Sequence, residues 1–161
     1  MKTRLYLDVD GVVNAQLSHF HWGNFSETAA PEGVSDVVTW APRMLAALSV
    51  LDLDLVWATT WVDDAPSGLA DLIHFGKDRP FLVPPNGDEL TFPSIYWKLE
   101  ALKSDQAANP SPFVWLDDEI SRKEITAARE LGGLALSVDQ YFGITPVHLD
   151  MISEYIEEHR D

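Results

Sequence analysis

Residues 113–138 read FVWLDDEISRKEITAARELGGLALSV, and they hold two apolar runs on either side of a helix signal. Phe113–Leu116 and Leu134–Val138 are β-rich and too short for helices. Between them, Ser121 and Glu124 have the spacing of a capping box ahead of ITAARELGG, and Gly132 supplies the stop. Strand, helix, strand is the repeating unit of a parallel sheet.

The same alternation runs outward in both directions. Leu5–Leu7, Leu55–Ala58 and Phe81–Val83 are further β-rich runs. Pro42 suits a first helical position ahead of RMLAALSVL, with Leu45, Leu48 and Leu51 near helical spacing. Ser94 is placed to cap IYWKLEALK, whose Ile95, Leu99 and Leu102 share a face, and Thr145–Pro146 opens a last helix with Leu149, Ile152 and Ile156 inward. The expectation is one α/β domain over residues 1–161, a doubly wound parallel sheet of about five strands with helices on both faces.

The 161 residues contain no cysteine, so disulfides, thiol chemistry and Cys-ligated zinc are excluded, and a reducing compartment suits the chain. MKTRLYLDVDG has too few apolar residues before Asp8 for a signal-peptide core, and no segment approaches the roughly 20 apolar residues of a membrane span. A soluble, cytoplasmic protein is expected. The net charge of −15 sets the average surface against nucleic acid and anionic lipid, so a bound phosphate must be met locally. The acids are scattered, which is how solubilising charge is distributed. No repeat or low-complexity segment occurs. Irregular stretches fall at 14–41, 84–93 and 104–112, where Pro, Gly, Asn and Ser accumulate.

Ligands of open parallel sheets bind beyond the carboxyl ends of the strands. The polar residues there are Asp8 and Asp10 after the first run, Thr59 and Thr60 after the second, and Asp117, Asp118 and Glu119 after the fourth. Carboxylates gathered at one point repel by several kcal/mol unless a cation sits among them. A hard divalent ion with oxygen ligands, most simply Mg²⁺, removes that penalty.

With these residues assembled, Asp8-Val9-Asp10-Gly11-Val12 resembles the first motif of the haloacid dehalogenase (HAD) superfamily, Asp-x-Asp-x-Thr/Val. LVWAT, ending at Thr59, is similar to the second motif, Lys98 in its helix to the third, and FVWLDDE, with Asp117 and Asp118, to the fourth. The four occur in order and span nearly the whole chain. LVWATTWVDDA, WLDDE and FGITPVHLDMI together resemble a subgroup of small HAD domains found alone and fused into RNA-repair proteins. The resemblance implies a Rossmann-like HAD fold and a Mg²⁺-dependent phosphatase. It also makes the Asp10 backbone carbonyl a metal ligand beside the carboxylates of Asp8 and Asp117, with Asp118 either a further ligand or a partner of the ligands.

The residue types suit that chemistry. A carboxylate such as Asp8 can attack phosphorus and form an aspartyl phosphate. Asp10 would protonate the leaving oxygen and then activate water, a role that asks for a crowded, partly dry pocket. The Thr59 hydroxyl and the Lys98 ammonium would hold phosphoryl oxygens, with Thr60 able to exchange roles with Thr59, which is favoured because it directly follows the apolar run. Gly11 lets the backbone turn after the carboxylates and leaves amides facing the phosphate.

Each residue has a bland counterpart. Asp before Gly is a common strand-end turn, threonine a common strand end, and Lys98 a solvated helix lysine. Glu119 is simplest as charge near the Ser121 helix start, and Asp63 and Asp64 as helix-start acids. His19 and His21 lack a third ligand and fit an aromatic flap over the site, while the tryptophans Trp22, Trp40, Trp57 and Trp61 fit core and pocket packing, since no basic groove accompanies them.

Residues 14–41 and 61–80 are too short for a cap domain, so the site is expected to be open, with 14–41 as a flap. The substrate would be a small phosphorylated metabolite, a nucleotide or the terminal phosphate of a nucleic acid, with no long nucleic-acid groove and no membrane partner. The rival function is a non-catalytic binding or regulatory protein on the same fold, acting through macromolecular contacts.

Overall fold

The apolar runs pair as a parallel sheet in a computed structural model that describes residues 1–85 and 95–160. In chain order the strands are β1 (Thr3–Leu7), β2 (Glu27–Ala29), β3 (Val38–Trp40), β4 (Leu53–Trp57), β5 (Phe113–Asp117) and β6 (Leu134–Ser137). The helices are α1 (Pro42–Ser49), α2 (Ala70–Ile73), α3 (Trp97–Ala108), α4 (Arg122–Glu130) and α5 (Pro146–Glu158), with a 3₁₀ turn at Val62–Asp64 and a π turn at Ala65–Leu69. The main sheet has the order β4-β1-β5-β6, all parallel.

Alternate residues of these strands feed two separate cores. Leu5, Leu7, Leu55, Trp57, Val114 and Leu116 pack with Met44, Leu45 and Leu48 of α1, Ile73 of α2, and Leu149 and Ile152 of α5. Tyr6, Val56, Phe113 and Trp115 pack on the other face with Trp97, Leu99 and Leu102 of α3 and Ala128 of α4. Helices therefore cover both faces, and the winding reverses between the adjacent strands β1 and β5. That reversal is where an open α/β sheet leaves a crevice at its carboxyl edge.

Three expectations are corrected. The fifth strand, Phe81–Val83, shrinks to a single parallel bridge from Phe81 to Trp57, in which the Trp57 N–H donates to the Pro80 carbonyl and the Leu82 N–H to the Trp57 carbonyl, both at 2.8 Å. Pro80 on one side and Pro84–Pro85 on the other bring no N–H, so the ladder stops, and the described sheet has four strands. Residues 14–41 are not a loose flap throughout: β2 and β3 form an antiparallel pair whose Val38 and Trp40 are buried in the first core. Finally, α3 starts at Trp97, leaving Ile95 85% exposed before the helix; Ser94, the expected cap, lies outside the described residues.

Local signals elsewhere hold. The Ser121–Glu124 capping box opens α4, and Gly132 follows its last turn at φ +81°. α5 begins at Pro146 and buries Leu149, Ile152 and Tyr155, with Ile156 only partly covered. Among the described residues no helix is long and apolar enough to cross a membrane.

Candidate active site

Strand register brings the first two acids together. Leu7 pairs with Leu116, and the Asp8 N–H donates to the Leu116 carbonyl at 3.1 Å, so Asp8 and Asp117 lie side by side at the strand ends. Both share the parity of Tyr6 and Trp115 and project to the face that α3 covers. The first turn of α3 carries Lys98 to meet them, its Nζ 2.8 Å from Asp8 Oδ2 and 2.7 Å from Asp117 Oδ2. All three side chains are largely covered, with exposures of 15% for Lys98, 9% for Asp8 and 3% for Asp117.

Burial governs the proton affinities. The Asp8 carboxyl is pushed up to about 7, first by loss of solvent and then by the Asp117 charge, against the pull of Lys98. Asp118 is raised as well, by burial and then by Asp117. Burial works against the Lys98 ammonium, but its two carboxylate partners outweigh it and raise its affinity for the proton.

Gly11 permits the turn on which these groups converge, but the amides of the turn do not face the cleft as expected: the Gly11 N–H donates to the Asn14 carbonyl and those of Val12, Val13 and Asn14 to the Val9 carbonyl. The Gly11 φ is +73°, a left-handed conformation, and a Cβ there would overlap the Asp118 carboxylate. Asp118 is thereby admitted to the cluster: oxygen atoms of Asp8, Asp117 and Asp118 all lie within 4.8 Å of one another. With all three carboxylates ionised against one ammonium the net charge is −2, which a divalent cation with oxygen ligands balances. The donor set therefore fits a hard divalent ion.

A cleft of about 510 Å³ opens over this cluster. Seven of the eight residues expected from sequence line it: Asp8, Asp10, Gly11, Thr60, Lys98, Asp117 and Asp118. Thr59 does not. It is 1% exposed, and its hydroxyl accepts from the Trp61 N–H at 3.3 Å, whereas Thr60 faces the cleft. Both lie past the end of β4, where the chain turns, and of the two threonines it is Thr60 that lines the cleft.

Asp10 is exposed rather than enclosed in the dry pocket expected for it. Its two oxygens are nonetheless held, Oδ1 by the Asn14 side-chain amide and Oδ2 by the Trp61 indole N–H, each at 2.8 Å. Trp61 and Asn14 are the site residues that motif reading misses. Trp61 sits two positions beyond Thr59 at a strand end, the signal that could have found it.

Glu119 also lines the cleft, whereas His21 and Trp22 do not, and the nearby cations are engaged elsewhere or at its edge. His21 packs with Phe20 and Phe142, with ring centroids 5.0 and 5.4 Å apart, and the Trp22 indole donates to the Ile144 carbonyl, so this segment is fastened to the 142–144 loop. Lys77 pairs with Asp71 at 2.8 Å and Arg79 with Asp54 at 3.6 Å, while Lys123 lies 4.4 Å over the Tyr96 ring at the cleft wall. No family model, curated protein or solved structure matches the chain.

Proposed function

We propose that this chain is a Mg²⁺-dependent phosphomonoesterase of the HAD type that works through an aspartyl phosphate on Asp8. The observation that carries the reading is the Asp8–Lys98–Asp117 contact beside Asp118, in a cleft at the reversal point of a parallel sheet. A binding protein on this fold would have no use for carboxylates buried against one another at such electrostatic expense.

The Asp8 carboxylate oxygen attacks phosphorus while the bond to the leaving oxygen breaks, its electron pair staying with that oxygen. Asp10 supplies the proton that neutralises it. In the second half a water molecule gives a proton to Asp10 as its oxygen bonds to phosphorus, and the bond to Asp8 breaks to restore the carboxylate. Lys98 has three N–H donors; two are engaged by Asp8 and Asp117, leaving one for a phosphoryl oxygen. Thr60 lines the same space, and its hydroxyl is the second donor. A divalent cation held by Asp8, Asp117, Asp118 and the Asp10 carbonyl supplies charge neutralisation for the phosphoryl group when bound. The substrate is a small phosphate monoester, a nucleotide or a strand terminus, met in the cytoplasm.

Hydrolysis of p-nitrophenyl phosphate with Mg²⁺ and after metal stripping tests this. Activity that needs the cation and disappears in Asp8→Asn is expected. Full activity in excess EDTA, or an active Asp8→Asn protein, would overturn the reading.

A further inference from the structure

An exposed carboxylate on a turn ordinarily samples a broad range about its last torsion, because a terminal bond to an sp² carbon has no sharp rotamer. Asp10 is such a residue by position, yet each of its oxygens meets a different donor from a different part of the chain. Neither donor can reverse its role. An indole N–H only donates. Asn14 has both ends of its amide committed, since its Oδ1 accepts from the Thr39 N–H at 2.9 Å and its Nδ2 must therefore face Asp10.

Both donors are also anchored. The Asn14 carbonyl accepts from the Gly11 N–H at 2.8 Å, closing the turn that carries Asp10. The Trp61 ring packs against the first core, and its backbone N–H is held by Thr59. Thr59 thus acts on the site through Trp61 rather than by facing the cleft. With one acceptor direction on each oxygen taken, a proton on Asp10 must occupy one of the remaining directions. A group that gives a proton to the leaving oxygen and recovers one from water has to present the same edge both times, and misplacement of about 1 Å in such a step costs roughly 10²-fold.

We propose that Trp61 and Asn14 are positioning residues that fix which edge of the Asp10 carboxyl faces the cleft, an inference that rests on Asp10 being the general acid–base of the proposed phosphatase. A purely structural Trp61 would lower all rates together when replaced. A positioning Trp61 affects reactions in proportion to their need for a proton on the leaving group.

The test is kcat/KM in saturating Mg²⁺ for phenyl phosphate, whose leaving group is poor, and p-nitrophenyl phosphate, whose leaving group needs little protonation; this ratio reports the transfer to Asp8 and not the later hydrolysis that both substrates share. Trp61→Phe should lose about tenfold more on phenyl than on p-nitrophenyl phosphate, a part of the 10²–10⁴-fold that general-acid catalysis supplies in full. In an Asp10→Asn background the same substitution should lose little further. Asn14→Ala, which removes the other donor, should show the same leaving-group bias and carries the test if Trp61→Phe fails to fold. Equal losses on both substrates, or a loss that persists in full without the Asp10 carboxylate, would overturn the inference while leaving the phosphatase intact. A wild-type protein inactive on both substrates would instead overturn the parent reading, and this inference with it.

Discussion

Asp8 is 6% exposed, and its carboxyl holds its proton well above the ordinary range because burial opposes the charged form. The sign of the effect on stability follows. A carboxyl whose affinity is raised on folding favours the native state below its unfolded pKa and loses that contribution as pH rises through the folded value, here from near 4 to about 7. Metal-free protein is therefore expected to gain stability at pH 8 when Asp8→Asn removes the charge, with Lys98 still paired to Asp117. The gain should be ~1 kcal/mol or more, roughly 2–4 °C in Tm for a chain of this size, and should shrink towards pH 5. Thermal melts of both proteins at the two pH values check this; a less stable Asp8→Asn protein at pH 8 would show that Lys98 outweighs desolvation. At Gly11, alanine meets both the left-handed φ and the Asp118 carboxylate. Gly11→Ala should cost ~1–2 kcal/mol from the backbone alone and weaken Mg²⁺ binding, read by calorimetric titration.

The element that bears most on the site is α3, because it is pinned to β1 at both ends. At its start Lys98 meets Asp8; two turns later Asp105 accepts from Arg4 at 2.8 Å and from the Tyr6 hydroxyl at 2.5 Å, and Gln106 donates to that hydroxyl at 2.9 Å. Arg4 is only 17% exposed, so Asp105→Ala would strand a mostly covered guanidinium with Asp54 as its remaining acid partner. A loss of roughly 3 kcal/mol is expected from breaking such a pair, measured by urea unfolding, together with lower kcat as Lys98 loses its fixed axis. An unchanged unfolding midpoint would mean that the core contacts of Trp97, Leu99 and Leu102 hold the helix alone. The start of α3 was poorly legible in sequence because Ile95 fits the spacing of Leu99 and Leu102 as an inward residue, and only packing decides that Trp97 takes that place. By contrast α4 was legible to the residue, since a capping box is a contact between neighbours three positions apart. β2 and β3 escaped reading because three residues are too few to show a period. The acids of the site were legible since parallel strand ends converge by rule. The choice between Thr59 and Thr60, and the service of Trp61 and Asn14 to Asp10, depend on contacts across the fold that no local pattern encodes.

At the scale of the molecule, the −15 charge and the distribution of cations decide what can approach the cleft. The chain has 11 Lys and Arg residues. Six of them, Lys2, Arg4, Lys77, Arg79, Lys98 and Arg160, are paired with carboxylates; of the other five, Arg43, Lys103, Arg122, Lys123 and Arg129, Lys123 lies over Tyr96 at the cleft wall. A protein that grips a strand of six phosphates releases enough counterions to give a salt slope near −4, since each contact to a single strand contributes about −0.7. One or two phosphates, met by Lys98 in the cleft and Lys123 beside it, give a slope of roughly −0.7 to −1.4. The expected substrate is therefore a small monoester or only the last one or two nucleotides of a strand. Measuring kcat/KM on a mononucleotide and on 3′- and 5′-phosphorylated oligonucleotides of increasing length, each across a salt series, decides the matter. Efficiency should level off within about two nucleotides, and the logarithmic slope should stay shallow. A steady climb with length and a slope approaching −4 would require further phosphate contacts, against the −15 net charge and the engagement of six of the 11 cations with carboxylates.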